Sequence, residues 1–234
     1  MMDYQVRKNK LLFDFATRKI YATDDAELRI VEFLDVRAGN SVSGKGRLNN
    51  KLSAQLMNYL GSFQIPTDFI KIISDNEVLV KGADKIPLDC HILNVATKQL
   101  NEKFGIPKEK ELENPIIEYF TDDKFGNRVL INETHVAALE IVKIDEVRFI
   151  KHLILKANVL LKSFFARRDF KLVEFTLTFG KYKNHIIIQD DLSVDAIHIW
   201  DLRTDIHFQS EFFAENHSDI AVLLGELQQR ILGD

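Results

Sequence analysis

A periodic run from Asp145 to Arg168 leaves this chain few choices of architecture. Val147, Ile150, Ile154, Ala157, Leu161 and Phe164 recur there at helical spacing, which predicts one long amphipathic helix with an apolar face to bury. The next segment reads as strand. From Leu172 to Phe179, the apolar residues Phe175, Leu177 and Phe179 alternate with Glu174, Thr176 and Thr178, the period of a half-buried strand. One face of that strand is apolar, and the other presents a carboxylate and two hydroxyls. His185 to Gln189 reads as a second strand, with Gly180 and Asn184 in the turn of a hairpin. A long helix followed by a hairpin marks a chain that mixes helix with antiparallel strand.

Upstream the pattern is strand-rich. Lys10 to Phe15, Lys19 to Ala22 and Arg29 to Leu34 read as strands, and so do Phe69 to Ile73 and Glu77 to Lys81 across the polar turn Ser74-Asp75-Asn76. Between them Leu48, Leu52, Leu56, Tyr59 and Leu60 mark one helix, with Gly61 as its expected left-handed stop. Gly44-Lys45-Gly46 then falls at the helix entrance, where backbone N–H groups and the positive dipole end favour an anion. After Lys85 longer helices enter, so we divide the chain into lobes at residues 1–84 and 85–234. Ile86 to Leu93 reads as strand, Asn94 to Phe104 as helix ending at Gly105-Ile106-Pro107, and a terminal helix follows Ser218 as N-cap. Arg167-Arg168 reads as a solvated helix end.

Composition narrows the function classes. Hydrophobic residues make up 46% of the 234, with seventeen Phe, enough for a sizeable core. A formal charge of -4 from 31 basic and 35 acidic residues gives no basic field for nucleic acid, so none is expected as a partner. Cys90 is the only cysteine, which precludes an internal disulfide and fits a reducing compartment. No stretch reaches the length of a membrane span, and Met1 to Lys10 lacks the apolar core of a signal peptide. A cytoplasmic protein with no membrane partner is expected. The histidines show no metal-ligand spacing, and neither Cys-x-x-Cys nor a nucleophile elbow occurs, so zinc and serine hydrolase readings have no support.

Asp190 and Asp191 end the Ile186-Ile187-Ile188 strand. Paired carboxylates there suit a hard cation, and equally serve as turn residues. Read together, Ser43 to Asn50, Leu172-Val173-Glu174-Phe175 and Asp190-Asp191-Leu192-Ser193 resemble the SAICAR synthase family. Framework motifs fall in the same order: Ile65-Pro66-Thr67, Ile86-Pro87-Leu88, Gly105-Ile106-Pro107, Ile131-Asn132-Glu133 and Trp200-Asp201. The resemblance runs from about Leu11 to Leu232. It implies an N-terminal antiparallel β lobe on a larger α+β lobe, with ATP in the cleft between them, and a homodimer. It also implies a small-molecule reaction that joins aspartate to a carboxylated aminoimidazole ribotide at the expense of ATP.

Carried over residue by residue, the resemblance gives Asp190 and Asp191 to magnesium, Arg18 and Lys45 to nucleotide phosphates, and Asn94, Lys98 and His198 to the second substrate. It leaves the catalytic residues unassigned. Several charged positions differ. The lysine and glutamate of the family strand are Thr176 and Thr178, the glycine and lysine of its phosphate loop are Phe15 and Ala16, and two ribotide arginines are Leu93 and His198. We therefore expect a diverged ATP-dependent carbon–nitrogen ligase; the alternative is a non-catalytic paralog that keeps the fold for binding or regulation.

Overall fold

The computed structural model describes residues 6–37, 40–189, 191–209 and 220–233. Five antiparallel strands form the first sheet: β1 (Lys8–Asp14), β2 (Arg18–Thr23), β3 (Leu28–Phe33), β6 (Phe69–Ile72) and β7 (Glu77–Lys81), in the order β1-β2-β3-β7-β6. Strand alternation gives both faces an apolar patch. Leu28 and Ile30 pack with Leu79 on one side, and Val31 and Phe33 with Val78 and Val80 on the other. A short ladder of β4 (Val36–Arg37) and β5 (Asn40–Ser41) leads into helix α1 (Lys45–Ser62).

The second sheet has seven strands: β8 (Asp84–Val95), β9 (Glu111–Asp122), β10 (Arg128–Ile131), β11 (Phe170–Tyr182), β12 (His185–Gln189), β13 (Ile197–Asp201) and β14 (His207–Phe208). β11 organises it, pairing with β8 along one edge and with β13 and then β12 along the other. Helices α2 (Lys98–Phe104) and α3 (Glu133–Ala138) are short, whereas α4 (Ile144–Ala166) is the long helix that the periodicity predicts. Its stripe packs with Phe175, Leu177 and Phe179 in the main core. Leu48, Leu52, Leu56 and Leu60 of α1 join the same core, as do Leu224, Leu227 and Ile231 of α5 (Ile220–Leu232). The Ser218 cap lies outside the described residues. None of the described helices is long and apolar enough to cross a membrane.

Four local expectations need correction. Helix α1 continues past Gly61 to Ser62, and the left-handed residue is Gln64 at φ 62°. Asn94 belongs to β8, and α2 starts only at Lys98, because Thr97 caps it by accepting from the Leu100 N–H at 3.4 Å. Gly180 lies within β11, and the turn is made by Lys183 and Asn184, both at positive φ. Gly180 is needed for close approach: a β-carbon there would come within 2.1 Å of Gln189 Oε1. Arg168, expected in solvent, donates to the carbonyls of Phe164 and Ile231 at 2.9 and 3.0 Å and so ties α4 to α5. The β9–β10 hairpin was not evident from periodicity; Asp123 closes it by accepting from the N–H groups of Phe125 and Asn127.

Candidate functional site

Directly paired residues in a sheet point to the same face. Thr178 sits opposite Gln189 and Asp89, Thr176 opposite His91, and Glu174 opposite His198. These side chains therefore form a polar row on the face of β11 turned away from α4. The row connects two cavities. One, of about 260 Å³, is lined by Phe13, Phe15, Arg18, Lys81, Lys85 and Gln189. The other, of about 790 Å³, is lined by His91, Lys98, Glu174, His198 and His207, among others. From Glu174 to Thr178 the strand rises about 13 Å.

At the smaller cavity Phe13 and Phe15 stack at 6.0 Å, and the Arg18 guanidinium lies 5.0 Å from the Phe15 ring. Arg18 Nη1 also meets Asp191 Oδ1 at 2.9 Å. From Asp191 a continuous polar chain runs inward. Ser193 Oγ donates to Asp191 and accepts from the Asp195 N–H, and Asp195 accepts from Lys45 Nζ and from Asn49 Nδ2. Lys45 is completely buried. Its ion pair makes it the inner anchor of this segment.

The anion expected at the α1 entrance is the chain's own Asp35. Its carboxylate accepts from the Gly44 and Gly46 N–H groups at 3.1 and 2.7 Å. Gly46 is required by packing, since a β-carbon there would lie 2.6 Å from the Phe33 carbonyl oxygen. Asp190 lies outside the described residues. Among the described residues no group of three or more His, Cys, Asp or Glu could hold a metal ion. One carboxylate, Asp191, held by Arg18, fits a magnesium ion that arrives with phosphate oxygens better than a resident one, because magnesium typically takes one or two protein carboxylates plus substrate phosphates.

The larger cavity brings Lys98 and His198 together and sets Asn94 apart. Asn94 is buried, and its amide forms a reciprocal pair with Asn158 of α4, at 2.8 and 2.9 Å. Glu174 stands at the centre of a cluster that linear spacing could not reveal. His198 Nδ1 and His91 Nε2 each approach its carboxylate at 3.4 Å. His91 Nδ1 lies 3.4 Å from Glu118, and His198 Nε2 lies 2.9 Å from His207 Nδ1. Trp200 stacks on His207 at 4.9 Å. Burial pushes the Glu174 carboxyl upward, but hydrogen bonds from His198 and His91 outweigh it and bring it down to about 2. Burial, with His198 alongside, lowers His207. The members come from β8, β9, β11, β13 and β14, so only cross-strand pairing assembles them.

The family model for SAICAR synthetase matches residues 16–221. A phosphoribosylaminoimidazole-succinocarboxamide synthase of Pelodictyon phaeoclathratiforme is 33% identical over 233 residues, covering 97% of this chain and 99% of that protein. One of the same name from Campylobacter curvus is 34% identical over 236 residues, covering 97% of this chain and 100% of that protein. Among solved structures, a type-2 SAICAR synthetase in complex with ADP superposes with a TM-score of 0.88 at 29% identity, over 96% of this chain and 98% of its own. The phosphoribosylaminoimidazole-succinocarboxamide synthase of Ehrlichia chaffeensis gives 0.87 at 27% identity, over 95% and 98%.

Proposed function

This chain belongs to the SAICAR synthetase family, and on that premise we propose that it is an ATP-dependent carbon–nitrogen ligase whose two substrate pockets share the polar face of β11. The observation that carries the reading is the row Glu174, Thr176 and Thr178, with one cavity at each end. In such a ligation a carboxylate oxygen attacks the γ-phosphorus of ATP, the bond to the ADP oxygen breaks, and an acyl phosphate forms. An amine nitrogen then attacks the acyl carbon, phosphate leaves, and the amine proton passes to a base or to water. Little covalent chemistry falls to the protein, so positioning and charge stabilisation carry the rate.

The smaller cavity takes the nucleotide in this reading, supported by the relative that was solved with ADP. Phe13 and Phe15 supply an apolar wall for the base, and Arg18 faces the phosphates. Magnesium, when bound, neutralises phosphate charge, and Asp190 and Asp191 would hold it. Lys45 acts at one remove: through Asp195 and Ser193 it fixes the segment that presents Asp191. Lys98 and His198 face the second substrate, an acid of the carboxyaminoimidazole ribotide kind, with aspartate as the amine. The lobe boundary near residues 84 and 85, and a homodimer, belong to the same reading.

The test is product analysis with magnesium-ATP, aspartate and the ribotide. ADP and a new amide should appear in equal amounts; their absence from folded, nucleotide-loaded protein would reject the ligase. One observation favours a non-catalytic binding role instead. The row between the cavities carries the hydroxyls of Thr176 and Thr178, and Thr178 Oγ1 donates to the Gln189 carbonyl at 2.9 Å, so neither brings charge to a transferring phosphoryl group.

A further inference from the structure

Among the described residues that line the larger cavity the fixed charges cancel: Lys98 and Lys108 are matched by Glu109 and Glu174. What remains to set its sign is three imidazoles, His91, His198 and His207. We propose that this cavity is a proton-gated anion site, in which one proton taken up by the His198–His207 pair holds the phosphate monoester of the second substrate. The inference rests on the reading that this cavity takes that substrate.

Hydrogen-bond direction supports the gate. Carboxylates only accept, so His198 must donate from Nδ1 to Glu174. Its Nε2 then either accepts from His207 Nδ1 or, with a proton added, donates to it across 2.9 Å. The pair can take one extra proton and keep its hydrogen bond; a second would set two donors face to face. His91 differs, since both of its ring nitrogens face carboxylates, Glu118 and Glu174, which offset its charge. The gain for an anion therefore comes from the His198–His207 pair. Among the described residues, the other charged groups near the pair are Lys98 on α2, Lys108 and Glu109 on the loop after it, and Asp205 in the β13–β14 turn. Lys98 lies 3.7 Å from Glu102 and is largely exposed, so it contributes little fixed attraction.

An arginine keeps its charge at every physiological pH, whereas an imidazole ordinarily titrates near 6.5. Anion affinity should therefore fall by about tenfold for each pH unit above that range. The experiment is titration of the full chain, without nucleotide, between pH 6 and pH 8.5. The probes are ribose 5-phosphate and inorganic sulfate, the latter because its charge is constant over the range. Binding should tighten as pH falls for both probes, and His198→Gln and His207→Gln should each flatten the dependence while circular dichroism stays unchanged. Binding that is independent of pH would assign the site to the lysines and overturn the inference, as would no binding at pH 6. Because ATP is absent, a pH-independent result alongside turnover would remove only the gate. The expected pH dependence without turnover would remove only the ligase.

Discussion

Lys45→Met is expected to lower the melting temperature by about 6 to 20 °C, because breaking one side of a buried ion pair costs about 3 to 5 kcal/mol and each kcal/mol shifts a chain of this size by about 2 to 4 °C. Lys45 has no exposure to solvent, and its partner Asp195 is nearly enclosed. Without the ammonium, Asp195 keeps the Asn49 amide but loses the Lys45 charge. The effect should be smaller in the double variant with Asp195→Asn, since no orphan charge is then left behind. A melting temperature within a degree or two of the parent would show that the pair does not hold α1 to the segment 191–196. Thermal melts of the three proteins at one pH decide it.

The second large effect concerns Arg18. Arg18→Gln is expected to weaken magnesium-ATP binding by roughly 10- to 150-fold, the equivalent of one charge-assisted hydrogen bond of about 1.5 to 3 kcal/mol. Arg18→Lys keeps the charge but loses the planar fork, so it should fall between the two. Arg18 is also bound to Asp191, and a melting curve must accompany each titration to separate lost folding from lost contact. Equal affinities in folded parent and variant would detach Arg18 from the phosphates.

The architecture was legible wherever burial forces a period. The stripe from Val147 to Phe164 and the alternation from Phe175 to Phe179 both end in one core, because each has a single apolar face to hide. Punctuation was less legible. Gly61 and Gly180 read as stops, yet each continues its element: Gly180 serves close packing rather than a left-handed turn, and at Gly61 the helix simply runs on to Ser62. The site divides the same way. Lys98 and His198 do meet at one cavity, whereas Asn94, four residues before Lys98, points to the opposite face because β8 runs on to Val95 where the sequence reads as helix. Gly44-Lys45-Gly46 carried the right preference for an anion, but nothing in the linear order announces that Asp35 and Asp195 supply it. His91 and His207 escaped notice for a related reason: ligand spacing along the chain does not register residues that only strand pairing brings together.

Binding of nucleotide by this chain is tested by calorimetric titration of the folded protein with magnesium-ATP. Protein must be concentrated enough to register millimolar affinity. Saturable heat at one nucleotide per chain, diminished in Arg18→Gln, is the expected result. No heat from a sample with an intact melting transition would contradict it.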